Sequence, residues 1–416
     1  MKKTYLKLAA STTVWVAVFL PGCHRDTSVH CDESDDCPAG WVCDQDTGRC
    51  IPSRDAGGDA SGRDATVVDD AETPAQDGGQ RDGGNASLVV DVPPPGQYYH
   101  GVYPGGISGW EDDITLNDVL TYEEAAGRKV AWVYFSHNWF HGRRFPLATV
   151  TWIRDHGAIP FIRLMLRSDV DEVTGPDPLY SIDAILSGSF DADLRAWGEA
   201  AADFGTPLLV EWGTEMNGDW FSWNGRWNGG PDNGPGNFQA TYRHIVETIE
   251  EGGAHNLTWV FHVNWDDSPN QDWNRFENYY PGDDVVDWIG LSVYGPQTPL
   301  DDYWDDFADG MDAAMPRLVA MAPTKPIFVF EFGVTGANPL GTAASWADAA
   351  LTGLLSNQWP QVRGFSWWNE TWQNDDDPSH DTDMRVQTVP GLSEVFQEHL
   401  VGADNLVDRP ILSSRD

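Results

Sequence analysis

Residues 208–212 read LLVEW, residues 238–251 read FQATYRHIVETIEE, and residues 257–262 read LTWVFH. The outer two are short runs rich in apolar residues, bounded by turn formers. The middle one sets Tyr242, Ile245 and Ile249 at helical spacing and stops at Gly252-Gly253. Strand, amphipathic helix and strand in that order predict a parallel pair with its helix laid across one face. Outward from this unit the same kind of run recurs at Tyr98–Tyr103, Val130–Phe135, Ile159–Leu164, Val286–Val293, Ile327–Phe330 and Val362–Trp367, with a second clear helix at Ala343–Leu355. Eight strand signals spaced by roughly 40 residues predict a (β/α)8 TIM barrel with long loops, since a typical barrel of this kind uses roughly 31 per unit. A doubly wound nucleotide fold would show a glycine-rich turn between its first strand and helix, and none is present.

The barrel is expected to occupy residues 96–416, with three segments before it. Lys2, Lys3 and Lys7 precede an apolar stretch, Leu8 to Leu20, that ends in Leu20-Pro21-Gly22-Cys23. This reads as a secretory signal, and its ending resembles a bacterial lipoprotein signal in which Cys23 becomes the lipidated first residue. The expected location is exported: a cell-surface or outer-membrane lipoprotein, or an extracellular protein. Residues 24–50 hold Cys31, Cys37, Cys43 and Cys50; an even count in an exported segment predicts two disulfides with three possible connectivities. No Cys-x-x-Cys pair supports zinc. Residues 51–95 are rich in Gly, Asp, Ala, Ser and Gln and read as a flexible linker, stiffened by Pro93-Pro94-Pro95 at its end.

The chain carries 65 acidic against 25 basic side chains, a formal charge of −40, which argues against nucleic acid or an anionic membrane surface as a partner. Membrane contact is expected only through the lipid on Cys23, and the protein is expected to act as a monomer. Lysine is nearly missing from the barrel, with Lys129 and Lys325 the two copies there. Tryptophan is abundant at 21 copies. That much indole serves either a crowded aromatic core or an open cleft where flat faces meet flat ligands.

Chemistry in a (β/α)8 barrel sits just past the C-terminal ends of the strands. Those positions hold Ser136-His137-Asn138-Trp139, Thr214-Glu215-Met216-Asn217, His262-Val263-Asn264-Trp265, Tyr294-Gly295, Glu331-Phe332-Gly333 and Trp367-Trp368-Asn369-Glu370. Hydrogen-bonding groups and indoles alternate around this rim, as a neutral polysaccharide requires. Glu215 and Glu331 follow the fourth and seventh strands directly. Two carboxyls facing each other across a glycosidic bond at roughly 5–5.5 Å permit double displacement with retention: one attacks the anomeric carbon while the other protonates the leaving oxygen.

The runs TEMNGDWFSW from Thr214, YYPGDDVVDWIGLSVYG from Tyr279 and FEFG from Phe330 resemble glycoside hydrolase family 26, whose commonest activity is endo-β-1,4-mannanase. The resemblance implies a retaining (β/α)8 hydrolase with Glu215 as acid/base and Glu331 as nucleophile. It further implies that Tyr294 hydrogen-bonds the nucleophile and that Trp367 forms the indole platform at the cleavage point. Trp220 and Trp223 match aromatic contacts beside the acid/base, and His137 matches a sugar-binding histidine. One departure stands out. Mannanases of the family usually have His directly before the acid/base and Arg-Pro upstream, where this chain has Thr214 and Glu211-Trp212. The resemblance puts that His near the sugar 2-hydroxyl, so mixed-linkage β-glucanase and β-1,3-xylanase stand beside β-mannanase as readings.

Three further expectations come from the residues themselves. His262 and Asn264 are candidates for hydroxyl contacts, and Trp265, Trp227 and Trp368 for an extended stacking surface. Strand alternation turns Glu211 into the barrel interior, where an unpaired carboxylate is very costly, so Arg163 on the neighbouring strand is its expected partner. No cofactor and no metal is needed, and the acidic run Asn374-Asp375-Asp376-Asp377 lacks the spaced ligands of a calcium loop. A non-catalytic sugar-binding barrel is the reading from another class; it predicts loss of one carboxylate, and both are present.

Overall fold

The computed structural model describes residues 41–44, 49–52, 87–106, 109–169 and 175–414. The chain divides into two compact units, Met1–Gln80 and Arg81–Asp416. In the first, Trp41–Asp44 and Arg49–Pro52 pair as an antiparallel ribbon. Cys23, Cys31 and Cys37 lie outside the described residues, as do the side chains of Cys43 and Cys50.

The second unit is a closed barrel of eight parallel strands: β1 (Tyr99–Tyr103), β2 (Trp132–Asn138), β3 (Ile159–Met165), β4 (Leu208–Trp212), β5 (Leu257–Asn264), β6 (Trp288–Tyr294), β7 (Ile327–Gly333) and β8 (Val362–Trp368). They follow one another around the ring in chain order, and β8 pairs with β1 to close it. Nearly every strand residue is buried, because one face fills the barrel and the other packs on helices. Helices α1 (Leu116–Ala126), α2 (Leu147–His156), α3 (Ile182–Leu186), α4 (Asp191–Phe204), α5 (Gly230–Glu251), α6 (Phe307–Met321), α7 (Ala343–Leu355) and α8 (Leu392–Leu400) form the outer layer. Between β5 and β6 two 3-10 turns, Asp272–Asn274 and Phe276–Tyr279, stand in place of a long helix. Among the described residues no helix is long and apolar enough to cross a membrane.

Helix α5 turns Phe238, Tyr242, Ile245 and Ile249 onto the barrel, the face that the sequence pattern predicts. It begins eight residues earlier than Phe238, through Gly234, Pro235 and Gly236, which are poor helix formers. Packing overrides propensity there: a Cβ on Gly234 would lie 2.4 Å from the Gly225 carbonyl oxygen, so glycine alone allows the two segments to touch. The linker also ends sooner than its composition suggests. Leu88–Val90, the apolar run within it, pairs antiparallel with Leu412–Ser414, because β-branched residues beside a free strand can bury their faces and satisfy their backbone groups together.

Strand β7 departs from regular pleating. Its register against β6 shifts between Val329 and Glu331. Phe330 packs inside the barrel against Trp132 and Phe161, and Glu331 also faces inward, toward Tyr134 and Tyr294. Two successive residues on one side require a bulge, which lifts the Glu331 carboxylate above the aromatic core.

Helices α4 and α5 cross so closely that a Cβ on Gly198 would stand 2.1 Å from the backbone oxygen of Ile249. Gly198→Ala is therefore expected to lower stability by about 1–3 kcal/mol through overpacking, despite the better helix propensity of alanine; chemical denaturation followed by circular dichroism measures it.

Candidate active site

At the end of β4 the chain leaves strand geometry. Gly213 has φ +71° and Glu215 has φ +49°, so after Trp212 the backbone bends twice through the left-handed region and carries Glu215 into the mouth. The strain at Glu215, a residue without glycine's freedom, is held by its surroundings: its amide donates to the His262 carbonyl at 2.9 Å, and its carbonyl accepts from the Gly218 amide at 2.7 Å. Asn217 anchors the turn. Its side chain donates to the Asn264 carbonyl at 2.8 Å and to Asp267 Oδ1 at 2.9 Å, and accepts from the Asn264 amide at 2.9 Å.

The Glu215 carboxylate accepts from Trp220 Nε1 at 2.8 Å and from Asn264 Nδ2 at 3.1 Å. The Glu331 carboxylate accepts from the Tyr294 hydroxyl at 2.9 Å and faces the Tyr134 hydroxyl at 3.1 Å. Both carboxyls are buried. Burial, reinforced by the Glu215 and Glu211 carboxylates and opposed by the Arg163 guanidinium and His262, pushes Glu331 up to about 7.

Beneath them lies a polar floor. Tyr134 also hydrogen-bonds Glu211, whose other oxygen lies 2.8 Å from His262 Nδ1; His262 Nε2 lies 3.0 Å from Ser292 Oγ. Burial alone would lower the His262 pKa, but the facing carboxylates, Glu211 foremost, raise it above its ordinary value. Arg163 approaches Glu211 at 4.0 Å but bonds Glu111 more closely, at 2.9 Å. The expected Arg163–Glu211 pair is therefore present as the longer of two contacts, and the near partners of Glu211 are Tyr134 and His262. Glu211, His262 and Glu331 bring donor atoms within 4.8 Å of one another, a spacing compatible with a cation; in this structure the Tyr134 hydroxyl and Ser292 supply the hydrogen bonds at that point.

One wall of the mouth is Trp368. Its ring stacks on Tyr103 with centroids 4.0 Å apart, meets Tyr134 edge-on at 5.9 Å, and lies 5.7 Å from the Arg163 guanidinium. Its Nε1 donates to Glu370 at 3.0 Å. Burial and the neighbouring Glu111 carboxylate push Glu370 up to about 8.

The structure thus brings Glu215, Glu331, Tyr294, Trp220 and Asn264 together, and it places several of the other candidates elsewhere. Trp367 is fully buried on the opposite face of β8, against Phe332, Trp346 and Phe396, with Nε1 donating to the Met384 carbonyl; a one-residue change of strand parity makes Trp368 the indole in the mouth. His137 likewise turns outward, accepting at Nδ1 from Trp197 of α4 at 3.3 Å, and burial lowers its pKa to about 4. His262 is buried and points inward, between Glu211 and Ser292. Trp223 is buried, stacked on Phe221 and donating to the Thr214 carbonyl, so it braces the acid loop from behind. Trp265 is half-buried and leans on Gly310 of α6. Tyr134 escaped the sequence reading. It shares its inward parity with Trp132 and Ser136, and no local feature sets it apart from a core tyrosine.

Comparison with known proteins bears on this geometry. The sequence profile described as Glycosyl hydrolase family 26 matches residues 188–359. Endoglucanase H of Acetivibrio thermocellus is 24% identical over 313 residues, 74% of this chain and 32% of its own length. A mannan endo-1,4-beta-mannosidase of Bacillus subtilis is 30% identical over 162 residues, 38% of this chain and 37% of its own. The chain thus spans about a third of the length of either relative. The solved structure of a GH26 beta-mannanase from Bacteroides ovatus superposes with TM-score 0.52 at 15% identity, covering 75% of this chain and 90% of that one, a likeness of fold. The segment matched by the glycosyl hydrolase family 26 profile runs from α4 through α7 and includes both mouth carboxylates and Tyr294.

Proposed function

We propose that this chain is a retaining endo-β-glycanase acting on a neutral polysaccharide by double displacement. The observation that carries the reading is the pair of buried carboxylates, each within hydrogen-bond distance of two side chains from different elements, near the Trp368 indole. In this mechanism Glu331 attacks the anomeric carbon through an oxocarbenium-like transition state while Glu215 passes a proton to the departing oxygen. Glu215 then takes a proton from water, which releases the sugar from Glu331. Tyr294 and Tyr134 hold the nucleophile; Trp220 and Asn264 hold the acid/base; Trp368 offers its face to the sugar ring.

β-1,4-mannan is the first substrate class, supported by the match of residues 188–359 to the glycosyl hydrolase family 26 profile and by the similarity to the mannosidase. A β-glucan is the second. It is favoured by Thr214, whose hydroxyl lies 3.2 Å from His262 Nδ1, directed at the floor and away from a ligand, and by the endoglucanase relative, which aligns over most of the barrel. Export, with lipid attached at Cys23, is part of the same proposal and rests on the lysine-flanked apolar start and its Gly-Cys ending.

Incubation with galactomannan, glucomannan, barley β-glucan and β-1,3-xylan, followed by sizing of the products, tests the reading; failure to shorten any of them overturns it. Glu215→Gln is expected to keep the melting temperature and lower polysaccharide turnover by about 10²–10⁴-fold, and Glu331→Gln to abolish it. Since Glu331 attacks only when ionised and its pKa lies at about 7, kcat/KM on an activated aryl glycoside should rise with pH through about 7, rather than level off above the ordinary carboxylate range. The two neighbouring indoles should separate cleanly. Trp367→Ala is expected to cost about 3–5 kcal/mol of stability as a core truncation, whereas Trp368→Ala should raise KM with a smaller loss in denaturation.

A further inference from the structure

Tyr134 has one hydroxyl hydrogen and two carboxylates within reach: Glu211, which it meets in a short hydrogen bond, and Glu331 at 3.1 Å. A phenol can donate once. When both carboxyls are ionised, that hydrogen can fill only one of the two contacts at a time, and the other sets oxygen lone pairs against each other. Taking Glu331 as the nucleophile proposed above, we propose that Tyr134 is a positioning residue whose single hydroxyl hydrogen is contested by Glu211 and Glu331, so that the buried Glu211–His262 pair beneath the substrate tunes the basicity of the nucleophile.

The surroundings give this contest its balance. Glu331 is faced by Tyr294 from β6, Tyr134 from β2, Arg163 from β3, His262 from β5, and Glu211 and Glu215 from β4 and its end. Tyr294 donates to Oε2 and Tyr134 faces Oε1, so each nucleophile oxygen has one tyrosine. Glu211 is faced by Tyr134, by His262 and by Arg163 at 4.0 Å. The Arg163 guanidinium and the His262 ring therefore compensate Glu211 and leave it able to release the tyrosine hydrogen. In the ionised enzyme the hydrogen turns toward Glu331 and steadies the attacking carboxylate. Once Glu331 has formed its bond to the anomeric carbon, its oxygens are those of a neutral ester, and the hydrogen returns to Glu211. The proton stays on the Tyr134 oxygen throughout; only its direction changes, so proton count and charge balance at each stage.

The test is the acid limb of kcat/KM against pH, read on a polysaccharide that the wild type degrades. Glu211→Gln removes the competing charge and should move the limb down by about one pH unit. Tyr134→Phe removes a donor from the ionised nucleophile and should move it up. Opposite shifts support the proposal; two shifts of the same sign, or two stationary limbs with turnover alone reduced, overturn it. Should Glu211→Gln fail to fold, Glu211→Asp keeps the charge but draws it back from Tyr134, and should lower the limb by a smaller amount. NMR titration of protein labelled at the glutamate side-chain carboxyls, with Glu331→Gln assigning the signal, reads the same shifts without catalysis. If no polysaccharide is degraded, the functional reading fails, and this titration still decides on Tyr134: a Glu331 signal that shifts in opposite directions in Glu211→Gln and Tyr134→Phe supports the proposal, and one that shifts the same way in both, or fails to shift in either, refutes it.

Discussion

A carboxylate sealed inside a barrel is the constraint around which this active site is arranged. Glu211 is wholly buried, and an ion in such a place is tolerable only if hydrogen bonds and opposite charge replace the water it has lost. Tyr134, His262 and Arg163 converge on it from three other strands, which fixes the relative rotation of β2, β3, β4 and β5 at the level just below the mouth. Ser292 then extends the arrangement to β6 through His262. An apolar residue at 211 would leave the histidine, the tyrosine and the arginine to find other partners, so the floor stands or falls together.

On that floor the two mouth carboxylates are raised by different devices. Glu331 reaches its place through a bulge in β7 that puts Phe330 and Glu331 on the same side. Glu215 reaches its place through two left-handed residues after β4. Neither device belongs to regular secondary structure, and each costs conformational energy that the packing around it must cover. Below the polar layer the barrel is filled by rings: Trp132, Phe161, Phe328 and Phe330 interlock at centroid distances of 4.6 to 6.0 Å. Much of the tryptophan noted in the sequence is thus structural, and the cleft uses few of the indoles.

The barrel was legible because its strands are buried on both faces, which writes eight apolar runs into the sequence without need of alternation. The two carboxylates were legible for the same reason, as acidic residues directly after such runs. Parity within a strand was less so. Trp367 and Trp368 differ by one position and face opposite layers, and His137 lies on the outward parity although it sits at a strand end. A bulge cannot be inferred from hydrophobic period, so the inward pairing of Phe330 with Glu331 was invisible. Tyr134 and Glu370 depend on partners far along the chain, Glu331 for one and Tyr103 for the other, and nothing local marks them. Composition misplaced the linker's end because the strand Leu88–Val90 is short and its partner lies at residues 412–414.

That small ladder has a directional consequence. The Tyr98 amide donates to Asn405, the Val407 amide to Tyr98, and the Asp91 amide to Ile411, so the chain just before β1 is laced to the last described residues at the end of the barrel where strands begin. The cleft lies at the end where strands finish. Strain on the chain just before β1 would therefore be shared between two backbone segments in place of one, at the end of the barrel opposite the two mouth carboxylates.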